Sequence, residues 1–272
     1  MPQTLLAIGA HPDDETMFAG GTLAWAAGRG MAVQVLGVTR GEGGDRGEPP
    51  VTTQERLGET REAEMRAAVA ALGLTGIEFL AYVDPLVTHT GDEPAPSTAL
   101  FRIDATPEEF TRAIVAVIRR LRPAVLITHG ANGEYGHPQH IYTNEAVRRA
   151  FAAAGDRAQF PDAGEPHAPA ALYSWAAHFP NGDDPRLERL LNADDPADWI
   201  VTLDGPLLDR KERAASAHLT QVPLFLRRSE GKPLRAMLLA QESLRRVALR
   251  PGMTDPLEEL LVTEPLASRV GA

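Results

Sequence analysis

Cysteine is absent from the 272-residue chain. No disulfide framework, thiolate nucleophile, iron–sulfur cluster or cysteine-type zinc site can therefore be built. Any chemistry must come from His, carboxylate, hydroxyl or amine groups. Basic runs are absent as well: 27 Lys and Arg stand against 37 Asp and Glu, a formal net charge of −10. That sign opposes a sequence-independent grip on a phosphate backbone, so nucleic acid is not an expected partner. Long apolar runs are also missing. Leu5–Ala10 is too short to span a bilayer and no basic residue precedes it, so neither a membrane segment nor a signal peptide is expected. A cytoplasmic location is the resulting expectation. The chain has no Walker A sequence, no Gly-x-Ser-x-Gly elbow and no His-Glu-x-x-His helix. The glycines at 41–47 (GEGGDRG) fail as a dinucleotide fingerprint, because the third glycine position falls on Arg46 and no helix begins there.

What is present reads as a globular enzyme-sized chain. Hydrophobic residues make up 43% and charged residues 24%, which excludes a wholly disordered protein. The first half alternates apolar strand runs with amphipathic helices. Strands are expected at Thr4–Gly9, Val33–Val38, Ile77–Leu80 and Val125–Thr128, and helices from about Thr16 to Gly28, Thr53 to Leu72, Pro107 to Leu121 and from Pro138. Gly73 is placed to cap the second helix. Strands buried on both faces and each followed by a helix imply an α/β, Rossmann-like three-layer fold with a mostly parallel sheet. Such sheets bind ligands at the carboxyl ends of their strands. The second half is less regular. Leu172–Trp175 and Trp199–Leu203 read as strands, Leu207–Leu219 as a helix, and Phe160–Pro169 and part of Pro180–Pro196 as loops. The pattern after Pro223 is too weak to assign. No linker separates two halves, so a single domain over 1–272 is expected, with its regular core at about 4–150.

Two clusters sit at predicted strand ends. Ala10-His11-Pro12-Asp13-Asp14-Glu15 follows the first strand, and Gly133-Glu134-Tyr135-Gly136-His137-Pro138-Gln139-His140 follows the fourth. His11 and Asp14 are three apart, as are His137 and His140. Residues at that spacing share one face of a helical turn, and Pro12 and Pro138 stiffen each turn. Taken singly, either cluster also reads as turn punctuation or helix capping. Together, in a chain with eight histidines, they read as a divalent-metal site.

The pair AHPDDE at 10–15 and YGHPQH at 135–140 resembles the LmbE/PIG-L-like superfamily of zinc-dependent N-acetylglucosaminyl deacetylases, which includes enzymes of mycothiol and bacillithiol biosynthesis. Gly20-Gly21, Thr39-Arg40-Gly41-Glu42 and the Arg61–Gly73 helix support the likeness, which covers roughly residues 4–150. The resemblance implies His11, Asp14 and His140 as metal ligands, with an open coordination position for water. It implies Asp13 as the general base and His137, as an imidazolium, as oxyanion stabiliser and acid. Tyr135 looks like the tyrosine that assists at the oxyanion in some relatives, and reads equally as a loop aromatic covering the site. Arg61 and Asp45 are similar to sugar contacts, and Lys211, His218 and Gln221 resemble a C-terminal pattern of the family. The implied cofactor is Zn2+, with Fe2+ or another divalent ion as its substitute in cells.

One position departs from the family pattern. Gln139 stands where the family commonly has aspartate, and a neutral amide beside His137 would support its protonated form less than a carboxylate would. The expected partner is a small N-acetylated amino-sugar, hydrolysed at its amide by a metal-activated water. The alternatives are an amidase on another N-acyl amine, such as a thiol-sugar conjugate, and a non-catalytic sugar- or metal-binding relative. The sequence leaves open the aglycone, and whether the chain forms a homo-oligomer. The loops expected to read the aglycone lie at roughly 84–106 and 156–196.

Overall fold

The computed structural model describes residues 2–85, 104–179, 191–228 and 232–270. Eight strands form one sheet in the order β10-β8-β9-β5-β4-β1-β2-β3. These strands are β1 (Thr4–Gly9), β2 (Ala32–Thr39), β3 (Gly76–Tyr82), β4 (Val125–Thr128), β5 (Ala171–Trp175), β8 (Trp199–Thr202), β9 (Gln241–Leu249) and β10 (Ala267–Arg269). A separate parallel pair joins β6 (Ala177–His178) to β7 (Asn192–Pro196). The larger helices are α1 (Asp14–Gly28), α2 (Leu57–Leu72), α3 (Pro107–Leu121), α4 (Pro138–Ala153) and α5 (Gly205–Ala217). Two shorter ones are α6 (Val222–Arg228) and α7 (Pro256–Thr263).

Strands β3, β2, β1, β4 and β5 are parallel to their neighbours, while β9, β8 and β10 add an antiparallel edge. The TLLAIG run of β1 shows why. Leu5 and Ala7 pack with Phe18 and Leu23 of α1, whereas Leu6 and Ile8 pack with Ile114 of α3 and Val147 of α4. A strand covered by helices on both faces must be apolar wherever it is buried, and this one is from Leu5 to Gly9. The Rossmann-like, mostly parallel fold expected from the sequence is the fold observed.

The chain leaves β1 toward β2 on one side, and β4 lies on the other side of β1. The order of the sheet therefore reverses between β1 and β4, opening a crevice at their carboxyl ends. Both metal-type clusters emerge there.

Element ends carry the expected local signals. Gly73 adopts the left-handed conformation (φ 76°) that closes α2, and Thr106 and Glu109 form a reciprocal capping box under Pro107. α2 begins at Leu57 and not at Thr53, because Arg56 and Leu57 donate back to Thr53 and Gln54 in tight turns first. The segment 180–196, expected to be loop in part, contains β7 at its end; residues 180–190 lie outside the described set, as do 86–103 of the expected aglycone loop.

The unassigned region after Pro223 contributes β9, which pairs with both β5 and β8. Glu242 at its start is fully buried, accepts from the Gly21 and Thr22 amides of α1 (2.9 and 2.6 Å) and pairs with the buried Lys211 of α5 (2.6 Å). This pair anchors the C-terminal elements to the helix that carries Asp14. Among the described residues, no helix is long and apolar enough to cross a membrane.

Candidate metal centre

β1 ends at Gly9 and α1 begins at Asp14, so His11–Asp13 form the connecting turn. The turn is held tightly. The His11 amide donates to Asp14 Oδ2 (2.8 Å), and the Asp14 amide donates back to the His11 carbonyl (3.4 Å). Across the crevice, Pro138 opens α4 and places His140 in its first turn. His140 and His129 are fully buried, Asp14 is 4% exposed and His11 9%.

The donor atoms converge. His11 Nδ1 lies 3.2 Å from His140 Nε2, and His140 Nε2 lies 3.3 Å from Asp14 Oδ1. His11 Nδ1 is 3.7 Å from the other Asp14 oxygen. Ligands at about 2.0–2.1 Å from a tetrahedral ion stand roughly 3.3 Å from one another. Two imidazole nitrogens and a carboxylate at that spacing fit a small divalent ion with a position left for water. Burial alone would raise the Asp14 pKa, yet His140, His129 and His11 hold it well below the usual carboxylate range. That favours the anion, the form in which a carboxylate can hold a metal ion.

Two further donor groupings overlap this one. His11, His137 and His140 form the first, and Asp14, His129 and His140 the second. His129 Nε2 already accepts the Ala10 amide (3.0 Å), which engages the nitrogen it would offer to an ion. Glu134 and Asp14 favour its protonation against burial, raising it to about 9. A proton on Nε2 would, however, face the Ala10 N–H. With its hydrogen on Nδ1 the ring satisfies both Ala10 and Glu134 (2.9 Å), while Nε2 also stands 3.2 Å from Asp14 Oδ2.

The remote nitrogen of His140 and of His11 is also held. His140 Nδ1 donates to Glu134 Oε2 (2.6 Å), and His11 Nε2 donates to Gln139 Oε1. Gln139 in turn donates to Asp84 Oδ1 (2.9 Å). Such partners fix the tautomer and orientation of a metal-ligating imidazole. Gln139 thus braces His11; the expectation that it sits against His137 is corrected by this contact.

Asp13 has φ 135°, and Glu134 has φ 57° with ψ −91°. Backbones of this kind cost of order 1–3 kcal/mol each and persist where surrounding contacts over-determine them. At Asp13 the contacts come from Arg61, which is 3% exposed. Its guanidinium donates to the carbonyls of Pro12 (2.7 Å) and Gly41 (3.2 Å) and lies 3.4 Å from Asp13 Oδ2. The donor groups expected for a sugar are thus largely committed to the turn carrying Asp13.

His137 packs edge-on to His11 (4.8 Å between centroids) and stacks on His140 (4.4 Å). Burial, then the neighbouring His11 and His140, pushes its pKa down to about 2. That shift favours the neutral ring, whereas the family resemblance implies an imidazolium at this position. Tyr135, 48% exposed, stands edge-on to His137 at the mouth of the site. Asp45 lies farther out, 3.5 Å from Arg227; Asp45 and Tyr135 line the same cavity of about 560 Å³. Arg46, Gln54 and Asp84 line it with polar groups, and Leu224, Phe225 and Met237 with apolar ones. Gln221 reaches this cavity and donates to the Asp45 carbonyl (2.9 Å), whereas His218 is fully buried behind it.

The sequence reading assigned no role to His129, Glu134 or Asn192. His129 stands immediately after β4, where the strand-end rule points. Glu134 lay inside the quoted cluster without a spacing signal. Asn192, which donates to Glu134 Oε1 (3.3 Å), comes from β7, 58 positions away.

The PIG-L family profile, described as GlcNAc-PI de-N-acetylase, matches residues 6–151. A 1D-myo-inositol 2-acetamido-2-deoxy-alpha-D-glucopyranoside deacetylase of Rhodococcus erythropolis is 37% identical over 246 residues, covering 80% of this chain and 81% of that one. The solved N,N'-diacetylchitobiose deacetylase of Pyrococcus horikoshii superposes with a TM-score of 0.62 at 18% identity, covering 95% of this chain and 88% of that one. The 4-carboxy-2-hydroxymuconate hydratase of Pseudomonas putida superposes at 0.58 and 19%, covering 93% and 99%. Likeness at this level shows the fold, and the fold carries more than one chemistry.

Proposed function

The chain belongs to the PIG-L family, and from that premise we propose that it is a metal-dependent hydrolase removing the N-acetyl group from a GlcNAc-containing small molecule. The observation that carries this reading is the convergence of His11 Nδ1, Asp14 Oδ1 and His140 Nε2 at ligand spacing, with a second carboxylate, Asp13, on the adjoining residue. A binding site alone has no use for that second carboxylate. The resident ion proposed is Zn2+; Fe2+ shares the preference for two imidazoles and a carboxylate.

His11, Asp14 and His140 would hold the ion. When bound, it supplies Lewis acidity, polarising the amide carbonyl and acidifying a water. Asp13, held by Arg61, takes a proton from the attacking water as the new C–O bond forms. Neutral His137 donates a hydrogen bond to the carbonyl oxygen as negative charge gathers there, and Tyr135 closes over it from the rim. The C–N bond then breaks, and the leaving amine takes the proton that Asp13 carries. Acetate and a free amino-sugar result.

The polar wall around Asp45, Arg46 and Gln54 suits sugar hydroxyls, and the wall of Leu224, Phe225 and Met237 suits the apolar face of a ring. Residues 1–272 are read as one domain, because β9 and β10 complete the sheet begun by β1.

The test combines elemental metal analysis with amine and acetate release from a panel of GlcNAc conjugates: inositol, malate, chitobiose and acyl variants. About one equivalent of divalent ion and release from at least one conjugate are expected. Asp13→Asn should retain the metal and lose roughly a hundredfold or more in kcat. A metal-free active enzyme, or full turnover by Asp13→Asn, overturns the reading.

A further inference from the structure

Glu134 is 4% exposed, and its carboxylate is met by four donors. Oε2 accepts from Nδ1 of His140 (2.6 Å) and Nδ1 of His129 (2.9 Å). Oε1 accepts from the Gly130 amide (3.1 Å) and the Asn192 amide group (3.3 Å), while Asn192 Oδ1 receives the Glu134 N–H (3.0 Å). This saturated carboxylate is presented by a backbone in the positive-φ region, between Gly133 (φ 59°) and Gly136 (φ 84°). Glycine would adopt that conformation at little cost; a glutamate there has to be held by what its side chain does.

We propose that Glu134 is a positioning residue that sets the tautomers of His140 and His129 together, so that the metal site is assembled before the ion arrives. The proposal rests on the metal-hydrolase reading above. The physical chain is short. A neutral imidazole carries one N–H, and whichever nitrogen carries it cannot ligate. By accepting from Nδ1 of His140, Glu134 leaves Nε2 bare, and Nε2 is the nitrogen facing Asp14 Oδ1 and His11 Nδ1. By accepting from Nδ1 of His129, it leaves that ring's Nε2 to take the Ala10 amide at the end of β1. One carboxylate therefore makes one histidine a ligand and the other a brace for the strand end that carries His11. A carboxylate on the far nitrogen also raises ligand basicity, which tightens metal binding.

The experiment measures the tautomer and the affinity separately. In metal-free wild-type protein, long-range 1H–15N correlations should show the proton of His140 on Nδ1. Zn2+ affinity, measured by chelator competition, should fall about 10- to 100-fold in Glu134→Gln, and the Co2+-loaded variant should show altered visible absorption. A folded Glu134→Gln that binds Zn2+ as wild type does would overturn the proposal. So would an Nε2–H tautomer of His140 in the wild-type protein, a result that holds even if the variant fails to fold. Wild-type protein that binds no divalent ion would instead overturn the hydrolase reading beneath it.

Discussion

Gln139 hydrogen-bonds His11, a histidine contributed by the other half of the crevice, and not His137 two positions before it. Its amide group donates onward to Asp84, so a three-member chain His11–Gln139–Asp84 supports one side of the metal centre. Glu134 and His129 support the other. The two braces differ in charge: a neutral amide on His11 and a carboxylate on His140.

Removing the neutral brace should weaken metal binding without unfolding the chain. Gln139→Leu leaves the His11 Nε2–H without its acceptor and frees the ring to adopt the other tautomer. Zn2+ affinity is expected to fall about tenfold, read by chelator competition, with little change in the urea midpoint of the metal-free protein. Unchanged affinity would show that the contact does not orient His11.

Arg61 acts on Asp13 and on two backbone carbonyls, so its replacement should separate catalysis from metal binding. Arg61→Lys keeps a charge but cannot reproduce the fork that spans Pro12, Gly41 and Asp13. A kcat loss on the order of tenfold to a hundredfold is expected, with metal content intact and KM changed less. If KM alone rises, Arg61 is a sugar contact after all.

Lys211 and Glu242 form a fully buried ion pair. Lys211→Met leaves the Glu242 carboxylate uncompensated beneath α1, a change that costs about 3–5 kcal/mol in comparable burials. The urea midpoint should drop accordingly. The double variant Lys211→Met with Glu242→Gln should lose less, because the glutamine oxygen still faces the Gly21 and Thr22 amides and no charge is left unpaired.

His218 is fully buried, and neither ring nitrogen has a partner among the described residues. Burial and then Arg61 push its pKa from 6.5 down to about 3, with Asp14 opposing. Above pH 6.5 the ring is neutral both folded and unfolded and contributes no pH dependence. Between 6.5 and about 3 the unfolded chain binds a proton that the folded chain does not, so stability falls as pH falls. The loss between pH 6.5 and 5 amounts to about 2 kcal/mol. His218→Leu should flatten that part of the curve in urea titrations at pH 7.5 and 5.5. A slope unchanged by the substitution would place the titration elsewhere.

The positions of β1, β2, β4 and α3 were legible because each is specified locally. Short, mostly apolar runs such as Leu5–Ile8, Val35–Val38 and Val125–Ile127 require cover on both faces, and a Thr–Pro–x–Glu start caps its own helix. β9 was not legible. Its sequence QESLRRVAL mixes charge with apolar residues because the strand lies in the antiparallel half of the sheet, partly open along its length.

By itself the sequence determined the donor types and their spacing within each cluster. It had no cysteine to offer, it placed His11 three before Asp14 and His137 three before His140, and it put each cluster at a strand end. Tertiary structure decided which nitrogens face one another, which residues brace them and which rings are buried. Those outcomes depend on contacts between positions far apart in the chain, such as Gln139 with His11, Asn192 with Glu134 and Arg61 with Asp13. They depend equally on burial, which shifts a proton equilibrium only once the surrounding elements have closed over the ring.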